Sequence, residues 1–307
     1  MKIFLNKLSE SWIVDRLSEE WKVNNQNTTT NYISKADLVW IISPWTWKKI
    51  SKNQLKKKKV VCSIYHIDEE KFSSEDLEEF RARDEFVDEY HIISPKVTPQ
   101  LTNLTNKKIT LIPFWINQNN WFEIATKDLL KKNYNISKND FLVGSFQRDS
   151  EGSNPKMPKL IKGPDQFLEI VKYINSTKPN LNVILTGKRR DYLMNELSKA
   201  NIKFTYFEML TVDQINELYN ILDLYIVASR VEGGPQAILE CGITKTPIIS
   251  TDVGIASEIL AEDSIFNMQN YKKAKPRVNH AYQNALKYTI PEGFEKFNNL
   301  FSSVLKS

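Results

Sequence analysis

Glycine and tryptophan are each missing from a large part of this chain. All nine glycines lie at or after Gly144, and all seven tryptophans lie at or before Trp121. Glycine gives the backbone the freedom to approach a ligand closely, whereas tryptophan provides large apolar faces. These opposite shortages predict two halves with different tasks, joined by a linker in the Lys- and Asn-rich stretch 127–139.

Cysteine and long apolar runs are also scarce. The two cysteines, Cys62 and Cys241, are far apart and in apolar surroundings, which favours buried free thiols in a reducing cytoplasm over a disulfide. No apolar run approaches the ~18 residues that cross a bilayer, and the N-terminus lacks the apolar core of a signal peptide. We therefore expect a cytoplasmic protein.

Positive charge is modest in total and concentrated in one place. The net charge is +5, and seven lysines fall within Lys48–Lys59. This run is interpreted either as a solvated helix face or as a patch for peripheral contact with an anionic membrane. A nucleic-acid partner is not expected, because no recognised binding motif accompanies the lysines.

The second half alternates between short apolar strands and amphipathic helices. This rhythm predicts a parallel sheet covered on both faces, the doubly wound layout. The predicted strands are 141–146, 182–186, 202–207, 224–229 and 247–251. The predicted helices are 163–176, 189–200, 211–222 and 235–243.

The first half follows a similar rhythm less regularly. Its predicted strands are 2–5, 38–43, 60–65, 90–94 and 108–114. The acidic stretch 73–88 is predicted to be an exposed helix with Ser73 or Ser74 as its N-cap. The tail, 292–305, is predicted to be an amphipathic helix.

The segment Arg230–Glu240 is the most informative part of the chain. A predicted strand runs into a turn with Glu232 and two adjacent glycines, proline opens a helix, and Glu240 follows eight residues after the first acid. The free amides of a first helical turn form an anion site, most naturally for phosphate. Two carboxylates would repel that phosphate and instead suit hydroxyl groups. The pattern predicts a nucleotide sugar as the ligand.

Residues 140–260 resemble the donor-binding domain of retaining GT-B glycosyltransferases of family 4 type (glycosyl transferases group 1), with their Glu-x7-Glu motif. The resemblance implies that Glu232 holds hydroxyls of the donor sugar and that Glu240 holds the ribose diol. The turn between them would give its amides to the diphosphate. That turn consists of Gly233, Gly234, Pro235, Gln236 and Ala237.

The same resemblance assigns residues upstream of this motif. The family's basic pair corresponds to Arg148 and Lys162, which would stabilise negative charge on the leaving diphosphate. The insertion 151–160 makes the spacing between them longer than the family's. Gly187 and Lys188 would lie near the nucleotide, and the strand end at Met209 and Leu210 would meet the base.

The first half resembles the family more thinly. His66, in "VVCSIYHIDEE", would face the donor sugar, and "ITLIPFWINQNNWF" resembles the signature before the interdomain linker. In that signature Phe114-Trp115 replaces Asn-Gly and Asn117 replaces Asp. The glycine-rich loop that the family has after the first strand is missing from "KIFLNKLSESW", which puts the acceptor side and full activity in question.

Together these features predict an α/β protein of the GT-B class, with two Rossmann-like doubly wound domains facing a cleft. Residues 1–130 would bind the acceptor, the helix at about 290–307 would pack back on them, and residues 136–288 would bind the nucleotide sugar. The implied reaction is sugar transfer, with retention, to a hydroxyl of a glycan, lipid-linked or small-molecule acceptor. Trp45 and Trp47 follow a strand end, where indole faces suit sugar rings, although core packing is expected for most tryptophans.

The expected mechanism is front-face substitution through an oxocarbenium-like state, because no carboxylate of the motif is an obvious nucleophile. No cofactor and no metal are expected beyond the donor substrate, since the three histidines are scattered and cysteine pairs are absent. Two alternatives stay open. The first alternative to a transferase is a catalytically impaired GT-B protein that binds nucleotide sugar or glycan, and the second is a nucleotide-sugar epimerase or hydrolase on the same fold.

Overall fold

The computed structural model describes residues 1–6, 13–69, 71–152 and 154–307. The chain forms two compact units. Unit 1 contains residues 1–115 and 290–307, and unit 2 contains residues 116–289. Each unit is an α/β structure with its own parallel sheet and its own apolar cores.

Unit 1 is built on a parallel sheet with the order β2-β1-β3-β4-β5-β6. Its strands are β1 Ile3–Asn6, β2 Thr29–Thr30, β3 Leu38–Ile41, β4 Lys59–Ile64, β5 Glu89–Ile92 and β6 Lys108–Leu111. Its helices are α1 Ile13–Asn24, α2 Lys52–Leu55, α3 Ser74–Asp84, α4 Thr98–Thr102 and, from the C-terminal tail, α12 Glu292–Lys306. Short 3₁₀ turns lie at Ile33–Lys35, Pro44–Lys49 and Pro95–Val97.

Local sequence explains where two of these helices form. Ser73 accepts a hydrogen bond from the backbone of Asp76, whose carboxylate accepts one from the Ser73 amide, so that α3 begins with a reciprocal capping box. This confirms the prediction of an acidic helix capped by Ser73. Helix α12 buries an aromatic face against the sheet, where Phe297 stacks on Phe114 at a ring-centroid distance of 5.6 Å.

A buried chain of polar groups crosses the centre of the unit 1 sheet. Trp40 Nε1 donates to Ser63 Oγ at 2.9 Å, Ser63 Oγ lies 2.8 Å from His91 Nδ1, and His91 Nε2 lies 2.7 Å from the carbonyl oxygen of Ile112. The Ile112 oxygen can only accept, so Nε2 carries the imidazole proton. Burial lowers the pKa of His91 to about 4, and the imidazole is neutral at physiological pH.

Unit 2 has a parallel sheet with the order β12-β11-β10-β7-β8-β9. Its strands are β7 Phe141–Ser145, β8 Leu181–Thr186, β9 Phe204–Phe207, β10 Leu224–Val227, β11 Ile248–Thr251 and β12 Ile265–Phe266. Its helices are α5 Lys127–Asn133, α6 Pro164–Thr177, α7 Asp191–Lys199, α8 Val212–Ile221, α9 Gln236–Thr244, α10 Ala256–Ile259 and α11 Val278–Ala285. Short 3₁₀ turns lie at Leu160–Lys162, Glu262–Ser264, Tyr271–Lys273 and Leu286–Tyr288.

One organisational prediction is wrong. The stretch 127–139 is not a linker, because α5 lies inside unit 2 and buries Leu130 and Lys131. The Lys131 ammonium donates to the carbonyl oxygen of Asp140 at 3.2 Å, which explains how a lysine-rich stretch joins a folded unit. The chain instead passes from unit 1 to unit 2 between Trp115 and Ile116.

Both cysteines are free and buried, as predicted. Burial raises the pKa of the Cys62 thiol to about 11 and that of Cys241 well above its usual range, so both are protonated at neutral pH. Across the described residues, no helix is both long enough and apolar enough to span a bilayer.

Candidate functional site

The order of the unit 2 strands creates a place for a ligand. From β7 the chain moves outward through β8 and β9, and it then returns to β10 on the other side of β7. The connections that follow β7 and β10 therefore leave opposite faces of the sheet, and a crevice opens between them at the carboxyl ends of the strands. The motif of Glu232 follows β10 at this edge.

Glu232 lies in a compact polar cluster at this switch point. The Lys162 ammonium forms an ion pair with Glu232 Oε1, and Ser229 Oγ donates to the same oxygen at 3.3 Å. Gln147, from the loop after β7, donates to the carbonyl oxygen of Lys162 at 2.9 Å. The side chains of Lys162 and Glu232 retain 20% and 12% exposure, so that a ligand can reach them.

Lys162 is held in place mainly through its backbone. Gly163 follows it with a φ of 62°, and a β-carbon there would overlap the carbonyl oxygen of Ala228. The amide of Arg230 donates to the carbonyl oxygen of Ile161 at 2.9 Å. The Arg230 guanidinium also binds both carboxylate oxygens of Asp165 at 2.8 and 2.6 Å. The loops before α6 and after β10 are thus tied together at the site.

The turn of Gly233, Gly234 and Pro235 leads into α9, which begins at Gln236, with Ala237 in its first turn. No side chain caps this helix, and although the amide of Ile238 donates to the carbonyl oxygen of Pro235 at 3.0 Å, the amides of Gln236 and Ala237 are open to an anion. Gly254, from the loop after β11, supports the turn. A β-carbon on Gly254, where φ is 57°, would lie 2.7 Å from Pro235 Cδ and 2.8 Å from Gly234 Cα.

Glu240 lies further along α9 and is buried, with 6% exposure. Its Oε2 accepts a hydrogen bond from the Tyr219 hydroxyl at 2.8 Å. Burial and the Glu240 carboxylate raise the pKa of Tyr219 well above its usual range, so that this phenol stays a donor. The tyrosine fixes the carboxylate in one orientation, a contact that the spacing of the motif does not reveal.

The loops after β7 and β8 contain Arg148, Gly187 and Lys188. Arg148 and Lys188 are exposed, and Gly187 has a φ of 88°. Sequence reasoning missed the pair beneath them: Arg190 Nε donates to Asp149 Oδ2 at 2.7 Å, and both side chains are buried.

The buried pair of Arg190 and Asp149 links the ends of β7 and β8 to the start of α7. Arg190 also donates to the carbonyl oxygen of Thr186 at 3.1 Å and to Ser145 Oγ at 3.4 Å, at the ends of β8 and β7. The other carboxylate oxygen of Asp149 accepts from the amide of Leu193 at 3.4 Å, near the start of α7. The only sign of this ion pair in the sequence is that a cluster of charged residues follows each of the two predicted strands, and such clusters are usually exposed to solvent.

Met209 and Leu210 follow β9 at the same edge. The Met209 side chain is 63% exposed and Leu210 is partly buried. The predicted donor-side residues of unit 2 thus follow the carboxyl ends of β7, β8, β9 and β10, except for Glu240, which lies buried within α9.

The predicted residues of unit 1 lie at the carboxyl edge of its own sheet. His66 follows β4 by two residues. Trp47 is buried against Phe86, whereas Trp45 is 47% exposed beside Tyr65, at a centroid distance of 6.4 Å. The position of the missing glycine loop, 7–12, lies outside the described residues.

The lysine run is less available than its sequence suggests. Lys48 pairs with Glu79 of α3 at 2.9 Å, Lys59 pairs with Asp88 at 3.1 Å, and Lys58 donates to backbone carbonyl oxygens. The remaining lysines of the run are exposed; they are Lys49, Lys52, Lys56 and Lys57.

A pocket of about 280 Å³ in unit 2 lies away from this site, near the C-terminal end of α9. It is lined by Trp121, Phe122, Lys245 and Tyr282, among others, and by none of the predicted site residues. Within the described ranges, no group of three or more His, Cys, Asp or Glu side chains is placed to hold a metal ion.

Comparison with known proteins gives a consistent result for unit 2. The family model described as "Glycosyl transferases group 1" matches residues 158–288. Alpha-galactosylglucosyldiacylglycerol synthase of Streptococcus pneumoniae is 22% identical over an alignment of 180 residues, which covers 55% of this chain. The match spans only 45% of that protein's own length.

Solved structures extend the likeness to the whole fold. HepE from Anabaena, in complex with UDP and glucose, superposes with a TM-score of 0.75 at 14% identity, over 99% of this chain and 100% of that one. Sucrose-phosphate synthase from Thermosynechococcus elongatus gives a TM-score of 0.71 at 13% identity, over 98% and 81%. The fold is GT-B, with two Rossmann-like domains, which confirms the predicted fold class. The family match supports the resemblance of unit 2 to group 1 glycosyltransferases.

Proposed function

We propose that this protein is a retaining glycosyltransferase that moves a sugar from a nucleotide-diphosphate sugar to an acceptor hydroxyl. The observation that carries the proposal is the cluster of Lys162 and Glu232 at the switch point, next to the uncapped start of α9. An ammonium and a row of amides suit a diphosphate, and a partly exposed carboxylate suits sugar hydroxyls. The match of residues 158–288 to group 1 glycosyltransferases supports this assignment.

Each donor-side residue has a distinct task in this proposal. The turn before α9 binds the diphosphate, Glu232 accepts hydrogen bonds from the donor sugar, and Glu240 accepts them from the ribose. Arg148 and Lys162 stabilise the charge that develops on the departing diphosphate. Because an ammonium has three donors, Lys162 can stay bonded to Glu232 and still reach a phosphate oxygen. No metal ion is part of the proposal.

The reaction itself rests on positioning and charge stabilisation. The sugar–phosphate bond weakens first, and the departing phosphate helps to take the proton from the incoming acceptor hydroxyl on the same face. This route retains the anomeric configuration without a covalent sugar–enzyme intermediate. His66 is proposed to act at the sugar, from unit 1.

The acceptor is proposed to bind unit 1, where Trp45 is exposed beside Tyr65 at the carboxyl edge of the sheet. An indole face of this kind suits the apolar face of a sugar ring. The competing proposal is a catalytically impaired protein that only binds nucleotide sugar or glycan, motivated by the missing glycine loop.

The first experiment determines which nucleotide the protein binds. A thermal-shift screen against UDP, GDP, ADP and dTDP sugars identifies the base, and UDP is the first probe because HepE was solved in complex with it. A donor that raises the melting temperature but supports no transfer to any acceptor favours the impaired alternative.

Glu232→Gln separates sugar chemistry from nucleotide binding. We expect kcat/KM for transfer to fall on the order of 10²-fold, because a neutral amide accepts hydrogen bonds from sugar hydroxyls more weakly than a carboxylate. UDP affinity is expected to stay the same or increase, since Lys162 loses its partner and becomes available to phosphate. The measurements are initial-rate kinetics and calorimetry with UDP.

The matched control for this variant is Glu262→Gln, which changes an exposed acid of the same unit. It should leave both quantities unchanged. Wild-type turnover in the Glu232→Gln enzyme would remove Glu232 from the proposed mechanism.

Peripheral membrane contact through Lys48–Lys59 is proposed in a narrower form, with the four exposed lysines of the run as the contact residues. The protein should sediment with vesicles that contain phosphatidylserine and should be released by salt. Charge reversal of Lys56 and Lys57 should abolish sedimentation. Equal sedimentation with uncharged vesicles contradicts this proposal.

A further inference from the structure

The loops after β7 and β8 each contain an exposed arginine, and the family resemblance assigns a role to only one of them, Arg148. Arg148 follows β7 and Arg189 follows β8, and these strands are neighbours in the sheet. The amides of Asp149 and Ser150 both donate to the carbonyl oxygen of Arg189, each at 3.2 Å. The backbone next to Arg148 is therefore fixed directly to the backbone of Arg189.

Arg189 has a backbone conformation that its residue type disfavours. Its φ is 61°, in the left-handed region where a β-carbon is strained and glycine is not. Glycine at this position would give the same turn at a lower energetic cost. Such strain is typically kept where the side chain is needed, and the side chain here is an exposed guanidinium.

The two guanidinium groups carry positive charge that nearby acids do not neutralise. Among the described residues, neither Arg148 nor Arg189 has an ion-pair partner within 4.0 Å. Neighbouring atoms shield the exposed Arg148 side chain in part from water, and this partial desolvation, followed by the charge of Arg189, lowers the pKa of Arg148, while Glu151 offsets part of the effect. An anion bound between the two guanidinium groups would relieve their mutual repulsion. The positive charge of Lys162, in contrast, is already neutralised by Glu232.

We propose that Arg189 is a second diphosphate-binding arginine, which holds the diphosphate of a nucleoside diphosphate together with Arg148. This inference rests on the proposed function and adds a residue that the Glu-x7-Glu pattern does not contain. Gly187, which also has a left-handed φ, turns the chain after β8. Arg189 therefore lies in a loop beside the end of β7, where Arg148 is proposed to bind the phosphates.

The first test is calorimetry with UDP and UMP on Arg189→Gln and Arg189→Lys. We expect Arg189→Gln to weaken UDP binding by about tenfold or more, since it removes a charge-assisted contact to phosphate. UMP binding should weaken less, and Arg189→Lys should retain part of the UDP affinity. Arg277→Gln is the matched control, because its exposed guanidinium binds Asp263 near the start of β12. It should bind UDP like the wild type.

The second test distinguishes ligand binding from a structural role. Arg189→Gly relieves the backbone strain, so it should melt at the wild-type temperature or higher while it loses UDP affinity. A variant that loses both stability and UDP affinity shows that Arg189 is structural and overturns the inference. Wild-type UDP affinity in Arg189→Gln overturns it as well but leaves the proposed function intact. Failure of the wild-type protein to bind any nucleotide overturns both.

Discussion

The imidazole of His91 shows how one residue couples the stability of unit 1 to pH. Both ring nitrogens have partners, Ser63 Oγ and the Ile112 carbonyl oxygen, and the side chain is fully buried. Because Nε2 carries the proton of the neutral ring, Nδ1 accepts a hydrogen bond from the Ser63 hydroxyl, which in turn accepts one from Trp40. A proton added to Nδ1 would break this hydrogen bond and place a charge in a fully buried site, and burial is the main reason that the neutral ring is favoured.

The expected consequence is a loss of stability in mild acid. The pKa of His91 falls from 6.5 in the unfolded chain to about 4 in the fold, so that the unfolded state binds more protons between these values. The contribution of the neutral His91 to the free energy of unfolding should thus be fully present above pH 6.5. The free energy of unfolding should fall, by up to about 3 kcal/mol, as the pH drops to about 4. Urea unfolding across this interval measures the slope.

A neutral replacement isolates this effect from the titration of carboxylates. His91→Gln should be less stable at neutral pH but show a shallower pH dependence. His280→Gln, at an exposed position, should keep the wild-type slope. The same slope in the wild type and in His91→Gln would mean that other groups cause the acid sensitivity.

The Lys162–Glu232 ion pair is a contact that the motif alone does not indicate. The sequence assigns the acid to the sugar and the lysine to the phosphate, as separate contacts. In the structure they bind each other, with Ser229 on the same carboxylate oxygen. Under the proposed function, a donor molecule meets a lysine and an acid that already neutralise each other, so that its binding has to redistribute this contact rather than fill two unpaired groups.

At the scale of elements, hydrophobic periodicity predicts most of the strands but fewer of the helices, since α1 and α11, of 12 and 8 residues, lie in no predicted helix. The predicted strand 224–229 appears as β10, and the predicted helix 211–222 appears as α8 with a capping box at Thr211. The strands that periodicity missed, β2 and β12, are two residues long. Two residues contain no period, so only pairing with a neighbouring strand defines them.

Side-chain pairing between elements is the part that the sequence could not predict. Asp149 and Arg190 are 41 positions apart, and each is surrounded by other charged residues in the sequence. Only the parallel pairing of β7 with β8 makes them neighbours. The wrong prediction of a linker at α5 has a related cause. A lysine-rich stretch is typical of a solvent-exposed segment, and only the packing of α5 in the folded unit buries Lys131.

At the scale of the molecule, the uneven distribution of glycine and tryptophan follows the two units. Every glycine that shapes the candidate site lies in unit 2, at Gly163, Gly187, Gly233, Gly234 and Gly254. Unit 1 places tryptophans in its core instead, where Trp21 lies 5.3 Å from Trp40 and 5.8 Å from Trp115 between ring centroids. One unit thus uses backbone freedom where a ligand is expected, and the other uses side-chain bulk for packing.

This division predicts where a nucleotide stabilises the protein. If UDP binds the carboxyl edge of the unit 2 sheet, hydrogen exchange should slow at the amides of β7 and β10 and stay unchanged at β3 and β4. At a UDP concentration of about 100 times its Kd, the expected stabilisation is about 2.7 kcal/mol, or about a hundredfold slower exchange for amides that open through unfolding of unit 2. Uridine at the same concentration is the control, because it lacks the phosphates that the helix start and the basic residues would bind. Equal slowing of exchange in both sheets would contradict this prediction, because the nucleotide would then stabilise both units together. If uridine slowed exchange as much as UDP does, the binding energy would come from the nucleoside and not from the diphosphate.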